Sequence, residues 1–210
     1  KMGFHGSPTC ALSFGEDTPC TGFLLGKEGS GMKIMFKMMN EERLFCGLQG
    51  LASSSSAYMH AVDYARQRVQ GSHATEMLNP NAERVAIIEH PDVRRMLFWM
   101  KSHVEGMRML TYYLALCLDL EEIETGEKAS DAAALVELLV PICKAGNTDM
   151  VWLITAEAIQ VFGGYGFCRD YPVEHVARAC KVLSIVEGTN GIQSIDLVMR
   201  KILMNPSQHN

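Results

Sequence analysis

Three short stretches carry residue types that chemistry uses. In VLSIVEGTNGIQSIDL, Glu187 is a lone carboxylate after the apolar run Val182–Val186, in a glycine-containing segment just before a helix. Apolar surroundings raise a carboxylate above its ordinary ~4.3, toward the ~6–7 that suits a general base. Thr189 and Asn190 can cap the following helix, which frees Glu187 to point elsewhere. On spacing alone an exposed acid beside the positive helix end is the simpler reading, and no reaction is named. In QVFGGYGF, Gly163, Gly164 and Gly166 permit close approach of backbone to a ligand and offer amide donors to phosphate. A helix C-cap explains these glycines equally well, and the stretch lacks the GxGxxG spacing of a dinucleotide fold. In YARQRVQ, Arg66 and Arg68 stand near a helix end, where positive charge also simply complements the dipole.

Other chemistries find little support. The seven cysteines are odd in number, scattered and without a CxxC pair, which argues for reduced thiols in an intracellular protein and against a disulfide framework or zinc site. The histidines show no HExxH, and no metal site is expected. Lys and Arg number 19 against 24 Asp and Glu, so a nucleic-acid partner is not expected either. No apolar run approaches the ~18–20 residues of a membrane span, and no signal peptide is visible. The methionines of MKIMFKMMNEE are expected to fill gaps in a helical core.

The elements that would position these residues are mostly helical. Residues 1–26 are broken by Gly and Pro into runs such as CALSF and GFLL that suit short strands. From Gly31 helical periodicity takes over. One helix is expected from about Met32 to Gln70, continuous through Ser53–Ser56, where small side chains let another helix approach. Residues 71–85 read as a loop. A second helix opens at Pro91-Asp92 and runs to about Glu122; a third starts after Ser130-Asp131 and continues, kinked at Pro141, to about Phe162. A short helix covers Val173–Ala179. The last begins near Gly191, with Asn190 as N-cap, Gln193 in the reciprocal position, and Ile192, Ile195 and Val198 as its stripe. The fold class is therefore mainly α, an antiparallel four-helix-type bundle preceded by a few β-strands.

Taken in order, these segments resemble the acyl-CoA dehydrogenase family across nearly the whole chain. KMGFHGSPTCALSF and GFLLGKEGSGMKIMFKMMNEERL look like the end of that family's middle β-domain and the entry to its C-terminal helical domain. YARQRVQ, HPDVRRML, QVFGGYGF and VEGTNGIQSIDLVMRK follow in the expected order. HGSPTCALSF and HPDVRRML look most like the long members that include methylmercaptopropionyl-CoA dehydrogenases. The resemblance implies residues 1–28 as the remnant of the β-domain and 29–210 as the helical-bundle domain. It implies α,β-dehydrogenation of an acyl-CoA thioester on FAD: a carboxylate takes a proton from C2 and a hydride leaves C3 for flavin N5. Glu187 matches the base, with Gly188 beside it at the substrate. Asn40 and Arg43 match positions lining the CoA site. Arg68, Gln70, Gln160, Gly163 and Gly164 match contacts to a neighbouring subunit's FAD, and Thr189 a contact to the flavin of its own subunit. A homodimer or homotetramer and an electron-transferring flavoprotein as acceptor are implied. So is a soluble intracellular setting, cytoplasmic in a bacterium, with a mitochondrial one also open.

Departures are visible. Val186 stands where the family usually has an aromatic residue before its base, Ala179 where an acid is common, and Gly71 where many relatives have Phe. Glu42 occupies the helix position from which some relatives supply the base instead; two carboxylates on one substrate raise each other's pKa, so only one serves, and Glu187 is preferred. With the N-terminal helical domain and most of the β-domain absent, these 210 residues alone are expected to hold FAD poorly and to be inactive. The alternatives are a catalytically silent helical scaffold, such as the family's DNA-associated relatives, and an acyl-CoA oxidase.

Overall fold

The computed structural model describes residues 1–204, with Lys37 by its backbone alone. Three long helices dominate: α1 (Gly31–Gln67), α2 (Pro91–Ile123) and α3 (Glu127–Phe162). Only Glu124–Gly126 separate α2 from α3, so the two run antiparallel. Helix α4 (Pro172–Cys180) packs on α3 and α1, and α5 (Asn190–Ile195) packs on α3 before continuing as a π-helical stretch, Asp196–Leu203. Among the described residues no helix is long and apolar enough to cross a membrane.

Sequence explains the packing. Pro91 at the first turn of α2 gives up a donor that would be unpaired there anyway. Along α2 the buried Leu97, Met100, Val104, Met107, Thr111 and Leu114 fall alternately three and four residues apart, a stripe that keeps facing one neighbour. Helix α3 is central and is buried more widely, from Val140 to Phe162. Helices α1 and α3 meet through glycine. A Cβ on Gly50 would stand 2.8 Å from the Asn147 carbonyl oxygen, and one on Gly47 would stand 2.9 Å from Cys143 Sγ. Asn147 Nδ2 uses this closeness, donating to the Gly47 carbonyl at 3.1 Å and to Thr111 Oγ1 at 3.0 Å, which joins all three helices.

Several expectations are corrected. CALSF and GFLL form no strand; a strand needs a ladder partner, and none meets them among the described residues. The expected loop instead contains an antiparallel pair, β1 (Val69–Ser72) with β2 (Arg84–Ala86). Neither strand has the alternating buried face that would betray it in sequence. Helix α1 ends at Gln67 rather than Gln70, and α3 starts earlier than expected, at Glu127 after Gly126 with φ 66°. Met96, Met100 and Met107 are core, but Met32, Met35 and Met38 face outward. Periodicity says which residues share a face, not whether anything covers it.

Gly50→Ala is expected to destabilise the full-length protein by about 1–3 kcal/mol, because backbone blocks the added methyl. Gly106→Ala, inside α2 with nothing within 4 Å of the new Cβ, is expected to stabilise by roughly 0.5–1 kcal/mol. Denaturant unfolding of both variants measures the two signs.

Candidate functional site

Two clusters collect the expected residues. The first is the turn between α4 and α5. A tight turn, Lys181–Ser184, ends with the Ile185 and Val186 amides both donating to the Val182 carbonyl. The chain then enters the left-handed region twice, at Glu187 (φ 55°) and Gly188 (φ 82°). Glycine suits the second position, because its φ is positive and a Cβ there, 2.9 Å from Gln193 Nε2, would push that amide off the carbonyls it holds. Glutamate in the first is strained by about 1–2 kcal/mol.

What holds this turn lies inside. Gln193, 1% exposed, donates from Nε2 to the carbonyls of Glu187 (3.1 Å) and Gly188 (3.3 Å). Lys144, wholly buried in the middle of α3, donates from Nζ to the Gly188 carbonyl (2.8 Å) and to Asn190 Oδ1 (2.9 Å). Burial pushes the Lys144 ammonium below its ordinary range; Cys46, Asp149 and Glu187 push it back up, and Arg43 pushes it down. The Asn190 amide nitrogen meets Asp149 Oδ1 at 2.7 Å and Thr148 Oγ1 at 3.0 Å. Asn190 is thus committed to α3, and the α5 cap is Thr189, whose Oγ1 accepts from the Ile192 amide at 3.3 Å. This corrects the expected Asn190 cap.

With those groups engaged, the Glu187 carboxylate is half-buried and bears no hydrogen bond or ion pair among the described residues. Burial pushes the Cys46 thiol up; Lys144 opposes this, and the carboxylates of Glu187 and Glu42 add to it. Both candidate acids therefore surround one point of the bundle, Glu42 exposed on α1 and Glu187 on the turn.

Arg43 is nearly buried beside the turn, its Nη2 3.9 Å from where a Gly188 Cβ would be. It pairs with Asp196 at 3.3 Å, and the other Asp196 oxygen lies 2.9 Å from Arg200. The Arg43 Nε has no partner among the described residues. Asn40, one turn earlier, is exposed at a different place, a small apolar cavity of about 180 Å³ with Leu44, Phe45 and Val140. Lys144, Gln193 as a clamp, and Asp196 escaped sequence reasoning. The one available signal was a lysine amid the apolar positions of α3.

The second cluster is an open cleft where α1 ends beside the end of α3. Two adjoining cavities of about 350 and 410 Å³ share Tyr64, Arg68, Gln70, Phe162 and Gly163, and Gly164 lines the second. Tyr64 stacks on Phe162 at 4.2 Å, and the Arg68 guanidinium sits 5.3 Å from the Tyr165 ring centroid. Gly163 (φ 61°) caps α3, and its N–H donates to the Gln160 carbonyl, so the glycine run is both C-cap and cleft wall. Gln160 is exposed a turn earlier. At Gly71 (φ 73°) the space a side chain would take is met by His90, whose Nε2 donates to the Gln70 carbonyl at 2.7 Å. Lys144 and Gly163 are nineteen residues apart, so the clusters lie roughly 28 Å apart along α3.

Comparison with known proteins adds the following. The family described as "Acyl-CoA dehydrogenase, C-terminal domain" matches residues 29–203. A butyryl-CoA dehydrogenase of Syntrophomonas wolfei is 43% identical over 214 residues, covering 99% of this chain and 35% of that protein. The 3-methylmercaptopropionyl-CoA dehydrogenase of Ruegeria pomeroyi is 38% identical over 203 residues, 97% of this chain and 34% of that protein. The solved structure of butyryl-CoA dehydrogenase from Megasphaera elsdenii aligns with a TM-score of 0.60 at 27% identity, over 82% of this chain and 39% of that one. The chain spans about a third of the length of these two relatives.

Replacing Asp196 by Asn strands Arg43 in the interior without its anion. The expected loss is about 3–5 kcal/mol of stability, read by denaturant unfolding of the full-length protein.

Proposed function

Because the chain belongs to the acyl-CoA dehydrogenase family, in its C-terminal domain, we propose that Glu187 is the base of an α,β-dehydrogenation of an acyl-CoA thioester. One observation carries this reading. The Glu187 and Gly188 carbonyls and the Asn190 side chain are tied to the bundle, whereas the Glu187 carboxylate is left unengaged among the described residues. It takes the proton from C2, which the neighbouring thioester carbonyl acidifies. The Glu187 N–H, without an acceptor among the described residues, is the donor for the thioester oxygen as enolate charge develops. Ile185 and Val186, which precede Glu187, are exposed apolar side chains available to pack on a bound acyl group. Arg43, with its unpartnered Nε, lines the CoA moiety beside the turn, Asn40, exposed one turn earlier on α1, meets a separate part of it, and Gly188 keeps the backbone close to the substrate.

FAD, when bound, supplies the hydride acceptor for C3. The cleft residues fit such a cofactor: Arg68 offers a cation, Gln70 a carboxamide, and a Cβ on Gly163 or Gly164 would meet nothing within 4 Å. With Gln160 they would hold a flavin other than the one Glu187 serves, since the two clusters stand so far apart on α3. Thr189 sits beside Glu187 for the flavin of its own subunit. This reading calls for a homodimer or homotetramer, and for an electron-transferring flavoprotein to reoxidise the enzyme. It takes 1–28 as the last part of a middle β-domain and 29–210 as the helical domain.

In the full-length flavoprotein, Glu187→Gln is expected to abolish dehydrogenation with flavin still bound, whereas Glu42→Gln keeps substantial activity. Anaerobic bleaching of the flavin by acyl-CoA reads both, and the opposite pattern moves the base to Glu42. Arg68→Ala is expected to lower the ratio of flavin to protein after gel filtration. An unchanged ratio removes the cleft from the cofactor site.

A further inference from the structure

We propose that Lys144 is a positioning residue for the base-bearing turn: its Nζ, donating to the Gly188 carbonyl and to the Asn190 side-chain oxygen, fixes the Gly188–Thr189 peptide plane and ties the start of α5 to α3, and so holds the segment that carries Glu187. The inference rests on the reading of Glu187 as base.

The two peptides after Glu187 are each held by the carbonyl. Gln193 draws in the Glu187 oxygen, and Lys144 and Gln193 share the Gly188 oxygen. In a trans peptide the N–H points opposite to the C=O, so drawing both oxygens inward turns the following N–H groups outward. It also holds Glu187 and Gly188 in left-handed conformations that free glutamate avoids. The position of the carboxylate therefore depends on groups that never touch the substrate.

Lysine suits this role. Lys144 lies on the central helix, wholly buried, and only a long side chain spans from there to the turn. One acceptor lies in the turn and the other, Asn190, opens α5; neither lies on α1 or α2. The charged groups around it are Asp149, Glu187 and Arg43, together with the Cys46 thiol. A residue needed merely to fill the core would be better apolar, because a buried ammonium costs several kcal/mol of lost hydration. The charge is retained where its two bonds shape the turn.

The test uses the full-length flavoprotein. Lys144→Met is expected to lower kcat roughly 10- to 100-fold, since small misplacements of a reacting group have effects of that size. KM for acyl-CoA should stay within about twofold, because the rest of the thioester's binding surface is intact. Lys144→Arg, which keeps charge and donors, should recover part of the lost kcat. Amide hydrogen exchange should quicken across residues 187–193 in Lys144→Met and stay as in wild type elsewhere in the bundle. A folded Lys144→Met with wild-type kcat overturns the proposal, as does a uniform rise in exchange with kcat and KM altered together. If that variant does not fold, Asn190→Ala removes one acceptor from the edge of the clamp and should lower kcat at unchanged KM; wild-type kcat there overturns the proposal. Should the wild-type protein oxidise no acyl-CoA, the reading of Glu187 fails, and exchange at 187–193 in the variants alone decides whether the clamp exists.

Discussion

A cation in the middle of the bundle, met at hydrogen-bond distance by two neutral oxygens, is the constraint on which the turn region depends. Removing an ammonium from water costs several kcal/mol, and hydrogen bonds to a charged group return about 1.5–3 kcal/mol each. Lys144 is tolerable only if both oxygens arrive together. Much else follows from that requirement. Asn190 must face α3, so Thr189 must cap α5. The Gly188 carbonyl must point inward, so its residue must accept a positive φ and a Cβ-free approach to Gln193.

The same demand reaches α1. Arg43 touches the turn only because α1 lies close against α3, and that closeness rests on Gly47 and Gly50. Larger residues there would move the α1 backbone outward and carry Arg43, Glu42 and Cys46 with it. The Asn147 bridge to Gly47 and Thr111 fixes the spacing from the other side. A backbone contact well inside the bundle thereby sets the distance between charged groups at its edge.

The helices were readable in the sequence because their signals are local and repeated: Pro91 at a helix start, the three-and-four spacing along α2, and small residues where α1 is crossed. The motif residues were readable as separate stretches, and the structure collects Arg68, Gln70, Gly163 and Gly164 in one cleft and Glu187, Glu42 and Arg43 around another point. What stayed hidden depends on partners distant in sequence. Lys144 looks like an interruption of an apolar face until its acceptors, more than forty residues away, come into view. Asn190 and Thr189 are both good caps by type, and only the pull of Asp149 and Thr148 separates them. The β1–β2 ladder has no buried face to give it a pattern, and the outward methionines of α1 carry the same periodicity as inward ones.

The left-handed glutamate has an energetic consequence. Backbone comfort at position 187 would be served better by glycine or asparagine, so replacement there relaxes the chain as it removes the acid. Substitution toward glycine there therefore runs downhill in backbone energy. Glutamate keeps its place in this conformation against the preference of its own main chain.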